Sequence, residues 1–275
     1  MTIFETMLAQ REVNSQQEEL LAIREIVQQI TLAGLARCGF FKHAAFYGGT
    51  CLRIFHGLPR FSEDMDFSLM SPDNAFQLEN YFDGIHDIFR SMGLNIELSR
   101  KQKRHVSAIQ SAFLKSDTTQ YDLRLERGRL IKVKLEVDTS PPLRFDTEWN
   151  ELSLPETFPV RCFTLPCLFA GKLHALIYRA WGHRVKGRDW YDFEWYVKNN
   201  IPLHFQHFAE RARNIGDNAP ANAEQMFSKL YERIQKVHIP DVKMDVEPFI
   251  KDYHSMDSWS TEYFMDLAQQ MVIDL

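Results

Sequence analysis

From residue 15 to 38, apolar side chains recur at helical spacing (Leu20, Leu21, Ile23, Ile26, Val27, Ile30 and Leu35), which predicts a long helix with a broad apolar face. A short β-like run follows at 44–47 and is closed by Gly48-Gly49. A helix is expected to open at Thr50 and run through Leu52, Ile54 and Phe55 to Gly57. Residues 65–69 read as a second strand, and 73–92 as a helix carrying Phe76, Leu78, Tyr81, Phe82, Ile85, Ile88 and Phe89. Two β-like runs come next, at 94–99 and 106–114. The cleanest strand spans 130–138, where Ile131, Val133, Leu135 and Val137 alternate with Lys132, Lys134, Glu136 and Asp138.

Between Pro141 and Pro166 the pattern becomes loop-rich with short extended pieces. Beyond Pro166 everything reads as helix: 166–181, 189–199, 204–214, 221–237 and 258–273. The expected fold class is α+β, a mixed sheet with flanking helices followed by a C-terminal helical bundle, divided as 1–160 and 161–275.

Two features of this pattern carry chemistry. A strand that runs into Gly48-Gly49 and then a helix lets backbone N–H groups approach a phosphate, and the helix N-terminus adds partial positive charge. Some fifteen residues on, Asp64 and Asp66 lie one residue apart on a strand, so both carboxylates share a face while Met65 and Phe67 point inward. Paired carboxylates beside a phosphate-binding turn suit hard divalent cations such as a pair of Mg²⁺ ions. Taken singly, Gly-Gly is a turn and D-x-D an ordinary solvated strand edge. Their order, with Arg60 and Ser62 just upstream of the acids, favours the functional reading.

At these residues the chain resembles the AbiEii toxin nucleotidyltransferases, of the DNA polymerase beta-like nucleotidyltransferase superfamily. The resemblance is carried by Gly48-Gly49-Thr50…Arg60-x-Ser62-x-Asp64-x-Asp66, by Lys134-Leu135-Glu136-Val137, by Lys172-Leu173-x-Ala175-Leu176 and by Arg188-Asp189-x-Tyr191-Asp192. It covers about 46–192. It implies a nucleotidyltransferase-like N-terminal sheet in which Gly48, Gly49, Thr50, Arg60 and Ser62 help hold a nucleoside triphosphate. Asp64 and Asp66 would bind Mg²⁺, with Glu136 as third metal ligand and Asp138, on the same face, as its competitor.

Lys172 lies on the apolar stripe of its helix and must either snorkel to water or face an anion. By the resemblance it contacts the triphosphate or the pyrophosphate leaving group. Asp189 would be an active-site acid that positions the leaving group or helps activate the acceptor, although read alone it is an N-cap or first-turn acid. Gly171 stands where the family motif has an acid. The resemblance further implies a toxin of a toxin–antitoxin or abortive-infection system, with the tRNA 3′ end as plausible acceptor and a cognate antitoxin as partner. A small-molecule or protein hydroxyl acceptor, or a catalytically silent nucleotide- or partner-binding module, are the alternatives.

Composition narrows this only in places. The 275 residues are 45% hydrophobic and 25% charged, which excludes a disordered or fibrous chain. The net charge of −5 hides an uneven distribution. Residues 241–275 hold eight carboxylates against two lysines, so this tail is −6 and reads as a solvated helical cap or a surface for a basic partner. Residues 100–134 hold ten Lys/Arg against three acids, and 172–188 hold five and none. With Tyr121, Tyr178 and Trp181 interleaved, these stretches are compatible with a phosphate backbone.

Cys38, Cys51, Cys162 and Cys167 lack CxxC spacing and read as reduced, buried thiols. Without a secretory core or a ~20-residue apolar span, a soluble cytoplasmic protein with no membrane contact is expected. His204-x-x-His207 reads as surface rather than zinc, since no Cys or carboxylate lies nearby at metal spacing. Walker, Rossmann, G-x-S-x-G and zincin motifs are absent.

Overall fold

The computed structural model describes residues 2–100, 118–126, 130–179, 185–213, 220 and 222–274. The β-like run at 106–114, Trp181 and most of the basic residues of 100–117 lie outside the described residues. Seven strands form one mixed sheet: β1 (Ala44–Tyr47), β2 (Asp64–Leu69), β3 (Ile96–Arg100), β4 (Thr118–Glu126), β5 (Leu130–Asp138), β6 (Thr147–Leu152) and β7 (Phe158–Phe163), in the order β3-β4-β5-β2-β1-β7-β6. β2 runs parallel to β5 and β1 parallel to β7, while the other neighbours are antiparallel. The period-two pattern of β5 dictates its two faces. Val133, Leu135 and Val137 are buried beside Met65 and Phe67 of β2, whereas Lys134 and Glu136 share the other face with Asp64 and Asp66.

The apolar side is covered by α1 (Ile3–Ala9), α2 (Gln16–Arg37), α3 (Gly48–His56) and α4 (Phe82–Ser91). Ser15 caps α2 by accepting the Glu18 N–H at 3.1 Å, and from Glu25 to Leu35 the helix is buried around nearly its whole circumference. Two of its buried polar side chains reach across to other segments. Glu25 takes Arg11 and Arg53 at 2.7 and 2.8 Å, and the Gln28 amide donates to the Ser62 and Glu63 carbonyls at 3.1 and 3.0 Å. Through Gln28, α2 fixes the approach to the Asp64–Asp66 strand.

The C-terminal helices are α5 (Leu165–Tyr178), α6 (Gly187–Lys198), α7 (Phe205–Arg213), α8 (Ala223–Lys236), α9 (Ile239–Val246) and α10 (Thr261–Gln269). One apolar cluster runs from Phe46 and Met65 in the sheet through Leu168, Phe169 and Leu173 of α5 to Trp190 of α6 and Phe264 of α10. Residues 160 and 161 are neighbours inside β7. None of the described helices is long and apolar enough to cross a membrane.

Several expectations are corrected. Helix α3 begins at Gly48 instead of Thr50. Only 82–91 of the 73–92 segment is α-helical, after a 3₁₀ turn over Leu78–Tyr81, because Asp73 turns the chain by accepting the Ala75 N–H at 2.9 Å. Residues beyond 166 are not all helix: β8 (Leu203–His204) pairs in parallel with β9 (Ile273–Asp274). Cys38 is exposed, unlike the other three cysteines. The acidic tail is not wholly solvated either, since Asp245 of α9 is buried and accepts the N–H of Gly187, the first residue of α6, at 2.8 Å. That carboxylate sits at the positive end of α6.

Helices α6 and α9 approach so closely that a Cβ at Gly187 would lie 2.1 Å from the Val242 carbonyl oxygen. Gly187→Ala is therefore expected to destabilise the chain by about 1–3 kcal/mol, as overpacking does. Urea unfolding measures it, and an unchanged midpoint would contradict the packing described.

Candidate active site

The turn from β1 into α3 is pressed against the acidic strand. Gly48 has φ +82°, and a Cβ there would lie 2.3 Å from Asp66 Oδ2, so glycine is required on both conformational and steric grounds. A Cβ on Gly49 would meet Arg60 Nη2 at 2.7 Å and Ser62 Oγ at 3.0 Å. Among the described residues no side chain caps α3, so its first N–H groups have no side-chain acceptor. The Thr50 hydroxyl, buried, donates to the Asp64 carbonyl and ties α3 to β2.

Strand register sets the acids side by side. Tyr47 of β1 is opposite Asp66 of β2, Asp66 is opposite Glu136 of β5, and Glu136 is opposite Gln120 of β4. In the next row Asp64 is opposite Lys134, and on the other side Ser68 is opposite Asp138. Glu136 is thus the cross-strand neighbour of Asp66, and Asp138 stands one row away. Asp138 is buried and accepts the Ser140 N–H at 3.2 Å.

The electrostatics follow from this crowding. Burial first, then the Glu136 and Asp64 charges, push the Asp66 carboxyl up to about 7, with Lys172 and Lys134 opposing. Lys134 pairs with Glu136, whose carboxylate also accepts from the Gln120 amide at 3.1 Å. Although burial disfavours its charge, Glu136, Asp64 and Asp66 hold Lys134 above the ordinary lysine value. The three carboxylates lie on one face of neighbouring strands and offer oxygen, the ligand type a hard divalent cation prefers, although their oxygens are not all within 4.8 Å of one another as the ligand atoms of Asp146, Cys167 and His204 are.

Behind the acids lies a second charged group. Arg60 is buried and grips Asp192 of α6 bidentately, Nε to Oδ1 and Nη2 to Oδ2, each at 2.6 Å, while its Nη1 donates to the Phe61 carbonyl at 2.9 Å. Lys172 of α5 reaches Asp192 at 2.7 Å and Asp189 at 3.4 Å, and Arg179 reaches Asp189 at 2.9 Å. Burial works against the Asp192 charge, but Arg60 and Lys172 overcome it and hold the carboxyl below its usual range. Lys172 therefore faces anions. Asp189 is not an N-cap: α6 starts at Gly187, and the Asp189 carboxylate is occupied by the two cations.

The structure brings together Gly48, Gly49, Ser62, Asp64, Asp66, Glu136, Lys172 and Asp189. It places Thr50 and Arg60 in supporting contacts, since their polar atoms are engaged by Asp64 and by Asp192 and Phe61. Tyr47 and Gln120, which complete the row, were not anticipated. Tyr47 could have been found as the residue before Gly-Gly, whereas Gln120 required the register of β4. His204 is not isolated: its Nε2 lies 3.4 Å from Asp146, and both side chains lie close to Cys167. Its Nδ1 accepts the His207 N–H at 3.1 Å, which makes it a helix-capping group.

The family described as "Nucleotidyl transferase AbiEii toxin, Type IV TA system" matches residues 30–266. Among solved structures, JHP933 from Helicobacter pylori is 17% identical with a TM-score of 0.57, covering 94% of this chain and 92% of that one. MenT4, a nucleotidyltransferase toxin of Mycobacterium tuberculosis H37Rv, is 15% identical with a TM-score of 0.60, covering 98% of this chain and 88% of that one. These two share the fold. No curated protein matches the chain in sequence.

Two substitutions are expected to move stability in opposite directions. Because the Asp66 carboxyl titrates near 7 in the fold against 3.8 in its unperturbed state, the folded chain binds more protons between those values, and stability falls as pH rises through them. In the metal-free chain Asp66→Asn should add about 1–2 kcal/mol at pH 8, and the gain should shrink toward pH 5. Asp192→Ala leaves Arg60 and Lys172 without their shared anion and should cost about 3–5 kcal/mol. Thermal melts at both pH values measure these changes. A destabilised Asp66→Asn or an unaffected Asp192→Ala would contradict the electrostatics.

Proposed function

The chain belongs to the AbiEii family of nucleotidyl transferase toxins of type IV toxin–antitoxin systems, and on that basis we propose that it transfers a nucleoside monophosphate from a nucleoside triphosphate to the 3′-terminal hydroxyl of tRNA. Family membership makes it a nucleotidyltransferase with a nucleotide substrate and implies an antitoxin partner. The observation that carries the finer reading is the row of carboxylates set against the uncapped N-terminus of α3.

Asp64, Asp66 and Glu136 would hold Mg²⁺. When bound, Mg²⁺ would neutralise phosphate charge and acidify the acceptor hydroxyl. The N–H groups of the Gly48–Gly49 turn and the Ser62 hydroxyl orient the triphosphate. Lys172, held on Asp192 and Asp189, offers its charge to the pyrophosphate as it departs. Asp189 acts by positioning Lys172 and Arg179. The acceptor oxygen forms a bond to the α-phosphorus while the bond to the β-phosphate oxygen breaks, pyrophosphate leaves with that electron pair, and the hydroxyl proton passes to solvent. Catalysis rests on positioning and charge neutralisation.

RNA as acceptor is supported by charge distribution: residues 100–134, net +7 by ten Lys/Arg against three acids, include β4 and most of β5, which carry Gln120 and Glu136 of the site. Incubation with total tRNA, Mg²⁺ and each α-labelled triphosphate should label RNA with one or more nucleotides, and Asp64→Ala should abolish labelling while the fold is retained. Label appearing on protein or small molecules instead would overturn the acceptor. Undiminished transfer by Asp64→Ala would overturn the metal assignment, and triphosphate binding without turnover on any acceptor would indicate a silent binding module.

A further inference from the structure

The cations around the site are matched by carboxylates: Lys134 with Glu136, Lys172 and Arg60 with Asp192, Arg179 with Asp189, and Arg188 with Glu63 at 3.5 Å. Arg211 differs. It lies in the last turn of α7, which packs on α5, and among the described residues its guanidinium has neither a carboxylate nor a hydrogen-bond partner. Its Nε is buried and unsatisfied. A partly buried guanidinium without an anion is costly, and such a group is expected where a ligand supplies the anion.

Its neighbours say where that ligand lies. A Cβ built on Gly171 would be 3.9 Å from Arg211 Cζ and 4.0 Å from Nε, so the guanidinium passes over the residue just before Lys172. Its charge also reaches Tyr47, the residue just before Gly48-Gly49 and the cross-strand neighbour of Asp66. Burial, Asp66, Asp138 and Glu136 all raise the Tyr47 phenol, and the nearby Arg211 charge opposes them. Arg211 thus lies against the helix that carries Lys172 and within electrostatic reach of the residue before the Gly48–Gly49 turn, and its planar fork matches phosphoryl oxygens.

We propose that Arg211 grips the polyphosphate tail of the nucleotide, a contact that rests on the nucleotidyltransferase reading above. Gly171 is part of the device. With no side chain there, the guanidinium is left for the ligand, and an acid at 171 would reach it and take the ligand's place.

The test uses the full chain and inorganic tripolyphosphate as probe, titrated by calorimetry in Mg²⁺. Arg211→Met should weaken binding about tenfold, equivalent to about 1.4 kcal/mol, and Arg211→Lys less, about threefold. Gly171→Glu should reproduce the Arg211→Met loss, while Gly171→Gln, of equal size without charge, should stay within about twofold of the parent. Should Arg211→Met fail to fold, the Gly171 pair carries the comparison. Parental binding by both Arg211→Met and Gly171→Glu would overturn the proposal. So would an equal loss in Gly171→Gln, or a loss confined to tRNA binding. A parent chain that transfers nucleotide yet does not bind tripolyphosphate overturns this contact and leaves the function standing. One that neither binds nor transfers overturns both.

Discussion

A single buried carboxylate, Asp192, joins the three parts of the chain from which the site is made. Arg60 comes from the segment leading into β2, Lys172 from α5 and Asp192 itself from α6, and they meet at 2.6–2.7 Å, with Arg60 and Asp192 buried. Burying such charges is expensive, and the attraction repays the cost only when geometry is good and the remaining donors are satisfied. Here the arginine fork is bidentate and its third nitrogen donates to Phe61. Arg60 also backs Gly49, so the network joins the Gly48–Gly49 turn to Lys172 through Asp192. Its foundation is the acidic tail: Asp245 anchors the start of α6, and the close contact of Gly187 with Val242 sets where that helix stands.

In front of the network is an arrangement that opposes folding. Asp64, Asp66 and Glu136 repel one another, and burial adds to the strain on Asp66. Lys134 and Lys172 relieve part of it. The rest is tolerated because the opposite face of the same strands, Met65, Phe67, Leu135 and Val137, is packed into the core. Period-two alternation thus assigns core packing to one face of β2 and β5 and the carboxylates to the other.

How much of this was legible in the chain depended on range. Strand β5 begins and ends where strict alternation from Leu130 to Asp138 puts it, and Asp64-x-Asp66 gave its shared face from spacing alone. Residues 73–77 misled because apolar spacing does not register an Asp73 turn. Strands β8 and β9 are two residues each and seventy positions apart, below what local patterning detects. In the site, only a motif match favours Glu136 over Asp138 in the sequence, and the strand register sets Glu136 opposite Asp66 and Asp138 opposite Ser68. The roles of Asp192, Gln120 and Asp245 all depend on contacts between distant segments, which no single-chain periodicity contains.

The proposed function stands on the Asp64–Asp66–Glu136 row serving as a divalent-cation site, with the triphosphate received on the Gly48–Gly49 turn. Crystals grown with Mn²⁺ and a non-hydrolysable nucleoside triphosphate test it directly through the anomalous signal of the metal. The expected result is an anomalous peak ligated by Asp64 and Asp66, with the triphosphate against the first turn of α3. Triphosphate bound elsewhere, or Mn²⁺ bound without these carboxylates, would contradict it.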